Sequence, residues 1–232
     1  MSDDSFIREV NEEIRQEKAK ALWGRYGPIL IGLAILIVLA TGVYQVYQHL
    51  QTNKSNSIST EFISALDLSN KRDFDAALTK LDEVQKSGFG AYPALADMRK
   101  AAIYAEQGNM TEAVALFDAI ANDSNNDEII KQVARVRAAY ILVDTGTFDQ
   151  VADRVGLLAT DINPMRMQAW EALGLAAWKA GKLDDAKTYF TNILTKQVPY
   201  SANVGYPNIG TLERARLMLE LINSSTTAPK AE

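Results

Sequence analysis

An unbroken apolar run near the start of the chain constrains everything that follows it. From Tyr26 to Asn53 no residue carries a charge, and Gly27 to Tyr44 contains one polar side chain, Thr41. Eighteen helical residues at about 1.5 Å each cover about 27 Å, close to the ~30 Å hydrocarbon core of a bilayer. Gln45 to Tyr47 carry the helix into the headgroups, so a membrane span is expected over Gly27 to Tyr47. Thr41 can bond back onto the helix that carries it, and Trp23, Tyr26, Tyr44 and Tyr47 stand where aromatic rings favour the interface. The alternative is a buried core helix, but no other element of this chain could wrap an apolar cylinder of that length. A cleaved signal peptide has a short basic leader and an apolar core of about 7–15 residues. Here 26 residues precede the run, six of them acidic. Ala40 and Gly42 form a small-x-small pair of the kind a peptidase reads, yet the length of the run favours a retained anchor.

Basic residues set the direction. Arg15, Lys18, Lys20 and Arg25 lie before the span, whereas Lys54 alone falls within the first twenty residues after it. The bias places residues 1–26 in the cytoplasm and the rest of the chain across the membrane. Within residues 1–26, Phe6, Val10, Ile14, Ala21 and Leu22 recur at helical spacing against a charged opposite face, which is an amphipathic helix. Asp3 and Asp4 at its start and Lys18, Lys20 and Arg25 at its end suit the helix dipole. Such a helix can dock on a membrane surface or a partner, or can simply fix topology.

Beyond residue 48 the chain repeats itself. Gly108-Asn109-Met110-Thr111-Glu112-Ala113, Gly146-Thr147-Phe148-Asp149-Gln150-Val151 and Gly181-Lys182-Leu183-Asp184-Asp185-Ala186 align, with a degenerate copy at Arg72-Asp73-Phe74-Asp75-Ala76-Ala77. Successive copies are 36, 38 and 35 residues apart. Helical pattern flanks each: Trp170, Leu173, Gly174 and Ala177 share a face before the last copy, and Ala186, Phe190 and Ile193 share one after it. Glycine at the head of each loop is expected to supply a left-handed helix exit, while Thr147 with Gln150 and Asn109 with Glu112 have capping-box spacing. Small residues at Ala65, Ala101, Ala139 and Gly174 let two helices approach closely. No alternating pattern competes as strand. The expected domain over 48–222 is therefore all-helical, with units over about 58–91, 94–127, 132–165 and 167–200. A turn-rich stretch over 198–210 leads to a cap helix over 211–222, and 223–232 is expected to be a disordered tail.

These residues carry a resemblance. The fourth unit resembles a tetratricopeptide repeat, with Trp170, Leu173, Gly174, Ala186 and Phe190 on the motif positions and Pro199 near its end. The second unit matches less fully. The first and third depart further, with Arg72 where the motif prefers Gly and Val155 where it prefers an aromatic. The layout of short cytoplasmic segment, single span and degenerate repeat domain is similar to the YfgM-like ancillary translocon subunits of bacterial inner membranes. The start, Phe6-Ile7-Arg8-Glu9-Val10 through Trp23-Gly24-Arg25-Tyr26-Gly27, resembles the alphaproteobacterial branch. The resemblance implies a tetratricopeptide-like solenoid on one transmembrane helix, seated in the inner membrane with its repeat domain in the periplasm. It also implies association with export-channel subunits and with a periplasmic chaperone that receives emerging, unfolded clients.

Little in the chain points to catalysis. The absence of cysteine excludes disulfides, thiolate metal sites and a cysteine nucleophile. His49, the one histidine, stands just past the span with no partner at a recognisable spacing. Gly88 and Gly90 lack the Lys of a phosphate loop. The 24 Lys and Arg against 29 Asp and Glu give a net charge of −5, which argues against a nucleic-acid partner. No enzyme, cofactor or metal site is expected; an enzyme would have to work through carboxylates such as Glu171 or Asp144.

The surface with functional promise is the inner face, lined by the first helix of each pair. It collects Leu95, Met98 and Ala102 from unit two, Val133, Val136, Tyr140 and Val143 from unit three, and Leu175 and Trp178 from unit four. That is more apolar than a solvated face, and Arg99 and Arg137 recur at equivalent positions where they could hold a carboxylate. Either a partner's apolar segment lies in this groove, or the cap helix or the segment after the span fills it. The chain thus reads as a non-enzymatic, membrane-tethered protein-interaction scaffold, an accessory subunit of the protein-export translocon. Two rivals are a coordinator of envelope growth or division that binds cell-wall synthases, and an organelle-surface import receptor whose repeats would face the cytosol. Because the chain has no cysteine, Ser225→Cys and Ser5→Cys can each be probed in intact cells with a membrane-impermeant maleimide. Labelling is expected at position 225 alone; labelling at position 5 alone would invert the topology.

Overall fold

The computed structural model describes residues 3–196 and 209–227. Every regular element among them is helical. In order they are α1 (Asp3–Asn70), α2 (Phe74–Lys86), α3 (Tyr92–Glu106), α4 (Met110–Asn122), α5 (Glu128–Thr145), α6 (Phe148–Val155) with a 3-10 turn over Gly156–Leu158, α7 (Arg166–Lys179), α8 (Leu183–Thr195) and α9 (Ile209–Thr227). The chain divides after Ser57 into two compact units, further along than residue 47, where the span is expected to end.

In the first unit α1 runs without interruption through the apolar segment, Pro28 included. From Leu22 onward the helix is long and apolar enough to cross a membrane by length and composition, and its most apolar stretch of eighteen residues, mean hydropathy 2.4, is wholly unburied. Thr41 Oγ1 donates back to the carbonyls of Ile37 and Val38, both at 2.9 Å, so the one polar side chain inside the apolar run is satisfied. Beyond it, Gln48 and Gln51 donate to the Tyr44 and Tyr47 hydroxyls one turn earlier, at 2.7 and 2.9 Å. The side chains of Phe6, Val10 and Ile14, which define the expected amphipathic face, lie outside the described residues.

In the second unit, each helix pair shares a buried core with the helix that follows it. Ala65, Leu81 and Ile103 join the end of α1 to α2 and α3. Ala101, Phe117 and Ala138 join α3, α4 and α5. Ala139, Val155 and Leu173 join α5, α6 and α7, and Trp170, Phe190 and Ile222 join α7, α8 and α9. First helices also touch across the units: α3 meets α5, α5 meets α7 and α7 meets α9. Each unit therefore depends on its neighbours alone, as in any stacked array. Ala65, Ala101 and Ala139 are fully buried at the helix crossings where small residues are expected. At the fourth crossing a Cβ on Gly174 would come within 2.9 Å of the Phe190 ring.

Three of the four loops within the helix pairs close in the same way. Gly108 and Gly181 have φ of 86° and 75°, and Arg72 is forced to 63° in the copy that lacks glycine. In each, the residue after the left-handed position donates to the carbonyl five residues back: Asp73 to Leu68 at 3.0 Å, Asn109 to Tyr104 at 2.8 Å, Lys182 to Ala177 at 2.9 Å. Gly146 departs from the left-handed exit expected of it. Its backbone is extended, at φ −116° and ψ −163°, and a Cβ there would press on the side-chain tips of Gln150 at 2.7 Å and Leu142 at 2.9 Å. The same Gln150 completes the capping box with Thr147, whereas the Asn109 side chain makes no cap bond. The cap helix α9 is longer than the expected 211–222 and takes in residues 223–227 of the expected tail. The turn-rich stretch, apart from Ile209 and Gly210, and residues 228–232 lie outside the described residues.

Thermal melts of the full chain in detergent should separate these glycine roles. Gly174→Ala is expected to cost about 1–3 kcal/mol through overpacking against a ring that cannot move. Gly181→Ala should cost about 1 kcal/mol through left-handed strain. Gly156→Ala, right-handed helical at φ −56° with open space around its Cβ position, should be neutral or mildly stabilising. Equal losses at all three would refute the distinction.

Candidate functional site: the inner face of the array

The first helices of units two and three, with Phe117 of α4 and the start of α7, line an open cavity of about 580 Å³. Of the residues expected to line the groove, Arg99, Ala102, Val133, Val136, Arg137 and Tyr140 stand together around it. They come together because α3 and α5 touch one another, while Ala101 of α3 and Leu142 of α5 turn into the cores. The remaining positions do not join them. Met98 is half-buried against the α3–α4–α5 core, and Leu175 is half-buried between the third and fourth cores. Val143 is a core residue rather than a groove residue. Leu95 and Trp178 are exposed on the array but lie outside the cavity wall.

The structure adds Ala105, Glu106, Phe117, Ile141, Met165 and Gln168 to the wall, with Phe117 coming from α4. Ala105, Glu106 and Ile141 follow α3 and α5 toward their C-terminal ends, and helical spacing from Ala102 and Arg137 could have found them. Met165 and Gln168 could not be found that way, because the loop between α6 and α7 decides where the start of α7 falls.

The two equivalent arginines have different surroundings. Arg99 donates to Ser69 Oγ through Nε at 3.0 Å and Nη2 at 2.6 Å, and to Asn70 Oδ1 at 3.4 Å. Its Nη1 lies 3.7 Å from Glu106. This guanidinium ties α3 to the end of α1. Arg137 is exposed and has no hydrogen-bond or ion-pair partner among the described residues. Across the cavity the amide oxygen of Gln168 is buried and accepts no hydrogen bond.

Beside the cavity lies a buried polar node. Glu171 is 2% exposed. It accepts from the Tyr140 hydroxyl at 2.6 Å, from Thr211 at 3.3 Å, and from Arg214 Nε together with Nη2, the latter at 3.1 Å. Burial first, and then the bond to Glu171, pushes the Tyr140 phenol well above its ordinary value. The same carboxylate raises the Arg214 guanidinium through their hydrogen bond. Glu171 is thus the counter-ion that ties the cap helix to units three and four. Asp144 is exposed, and its backbone carbonyl accepts from Lys179. Of the two carboxylates through which an enzyme would have worked, that of Glu171 is engaged in tying helices together. Among the described residues no three His, Asp or Glu side chains cluster as a metal site.

The node yields a stability prediction. Arg214→Ala leaves a buried carboxylate short of its cation and should cost about 2 kcal/mol by denaturant unfolding. Glu171→Gln should cost less, and the double variant less than the sum of the two. Strict additivity would show that the pair is not coupled.

The chain matches the model of the tetratricopeptide repeat-like domain over residues 20–204, most of its length and all four helix pairs up to the end of α8. No curated protein and no solved structure matches it. Domains of this kind are in general non-catalytic interaction modules that present the inner faces of stacked helix pairs to other proteins. An all-helical array of four pairs, closed by a cap helix and lined by an apolar cavity, fits that description, and the chain belongs to the tetratricopeptide repeat-like domain family.

Proposed function

We propose that this protein is an accessory subunit of the bacterial protein-export machinery, anchored in the inner membrane by α1 with its repeat domain in the periplasm. There it links export-channel subunits to a periplasmic chaperone and to emerging clients. The observation that supports this reading most is the apolar cavity on the inner face, carried by the same chain as a helix long enough to span a membrane. The excess of basic residues before the span supports the orientation, and the layout's similarity to ancillary translocon subunits supports the partner class. Anchoring confines the array to a thin layer at the membrane surface, so weak contacts act at high effective concentration. Transient handover needs contacts of that kind.

A photocrosslinking residue placed at Val133, on the cavity wall, tests the reading in intact cells. Adducts with export-channel subunits and periplasmic chaperones are the expected outcome. Adducts with cell-wall synthases would move the protein to envelope growth. Adducts that form only from the outer helices, at Glu112 for example, would overturn the groove as the working surface.

A further inference from the structure

The most exposed large apolar side chains among the described residues stand on one loop of the array, not in the apolar run of α1. Leu157 is 81% exposed and Ile162 93%, whereas no large apolar side chain described in the run exceeds 71%. Both belong to residues 156–165, the connection from α6 to α7, which has ten residues where 87–91 and 123–127 have five. The loop is built rather than loose. The Asn163 N–H donates to the Thr160 carbonyl at 3.2 Å, and Asn163 Oδ1 accepts from the Met165 N–H at 2.7 Å. The Asn163 carbonyl accepts from Arg166 Nη1 at 2.9 Å. Leu158 turns into the α5–α6–α7 core while its neighbour Leu157 is held in water. Apolar side chains fixed outward in this way suit a surface outside the unit.

Placement and charge identify that surface as phospholipid. Short connections make successive helices antiparallel, so the starts of α3, α5 and α7, the ends of α2, α4, α6 and α8, and Ile58 of α1 lie along one edge. Lys196, just past α8, pairs along this edge with Asp161 of the loop at 2.8 Å. Ile129 and Ile209, at the starts of α5 and α9, are exposed there too. Met110 and Trp178, toward the opposite edge, are each more than half covered. The chain enters the array at Ile58, and only residues 48–57 separate that point from the expected end of the span. Even fully extended they reach about 40 Å, so this edge is tethered near a bilayer whatever their path. Lys196 cancels the charge of Asp161, and Arg166 is buried under the loop with its Nε unpartnered and no ion pair among the described residues. Those three groups sum to one positive charge, which an anionic headgroup layer attracts.

A protein partner would need a patch of roughly 800 Å², which two tips separated by Thr160 and Asp161 do not supply. Two aliphatic tips are also too few to hold a free protein on a membrane. On a tethered chain the contact is intramolecular, and a weak one is enough. We propose that the α6–α7 loop is a membrane-contact loop, with Leu157 and Ile162 inserted at the boundary between headgroups and acyl chains. The proposal rests on the reading of α1 as a membrane span. The contact holds the edge between pairs against the bilayer, so the array cannot swing freely about its tether.

Because the chain has no cysteine, single cysteines can carry an environment-sensitive fluorophore on the full chain, reconstituted into vesicles of phosphatidylethanolamine and phosphatidylglycerol. Reporters at Leu157→Cys and Ile162→Cys should each lose about half of their emission to lipids with a nitroxide high on the acyl chain, the ~5–10 Å depth of interfacial groups. A reporter at Met110→Cys should lose none, and one at Val38→Cys, in mid-span, should be quenched by a deep nitroxide. Adding Leu157→Ser to the reporter at position 162 should cut its quenching several-fold and leave the melting temperature unchanged, because Leu157 is almost bare. Quenching at position 110 equal to that at 162 would overturn the proposal. So would a blue-shifted reporter at 162 that no nitroxide lipid reaches, which gives the loop to a second copy of the chain. If 162 is unquenched while 38 is quenched, the loop contact fails and the anchor stands. If neither is quenched, both fail.

Discussion

The close approach of two helices across a residue without bulk underlies every other feature of the second unit. In the fourth pair, α7 gives up a side chain at Gly174 so that the Phe190 ring of α8 can lie directly on its backbone. The ring is completely buried there, a gain of about 1.5–3 kcal/mol relative to exposure. Ala139, Ala101 and Ala65 stand at the corresponding crossings, also fully buried. The alanines keep one methyl, and Val155 and Phe117 are the large partners in the cores beside Ala139 and Ala101. Were the small positions filled, the pairs would splay, and the first helices could not touch one another along the inner face.

Stacking solves the burial problem for each unit only by using a surface of the next. The second helix of a pair covers one side of its own first helix, and the first helix of the following pair closes the core. That arrangement leaves an open side at the C-terminal end, which α9 covers with Ala215 and Ile222. The cap is held by more than apolar contact. Glu171 draws Arg214 and Thr211 down from α9 and Tyr140 across from α5, so one buried carboxylate joins three first-position helices. A tie between second helices has a more exposed acid: Arg154 of α6 forks Asp118 of α4 at 3.0 and 2.7 Å. Such partly solvated pairs contribute less than the buried node.

The cavity lies where this construction leaves space. Its wall comes from α3 and α5, with Phe117 of α4 and the start of α7. The array uses Arg99 to join α3 to α1 and leaves the equivalent Arg137 open, because α3 follows a helix end that offers Ser69 and Asn70. In unit two, which precedes Arg137's unit, Ala105 stands at the place that corresponds to Ser69 and has no hydroxyl to offer. Equivalent residues in a repeat thus acquire different roles from what the preceding unit provides.

Much of this was legible in the amino-acid order, because it depends on local chemistry repeated at fixed spacing. The apolar run from Gly27, the period of 35 to 38 residues, the small residues at the crossings and the glycines of two loops all state physical needs that hold whatever the neighbours do. Arg99, Ala102, Val133, Val136, Arg137 and Tyr140 stand round one cavity for the same reason, since helical periodicity assigns them to one face. Position alone could not show which of those residues remain free. Val143 points the right way by period but is taken into a core, and Gly146 follows an extended backbone path in place of the left-handed one. Glu171 reads as an ordinary acidic residue until Tyr140 and Arg214, 31 and 43 residues away, converge on it. The sequence by itself determined the helices, their pairing and the long apolar run, since each follows from contacts within one unit. Only the tertiary structure decided which polar groups hold the array together and which stay open, because a hydrogen-bond partner is supplied by a neighbouring unit.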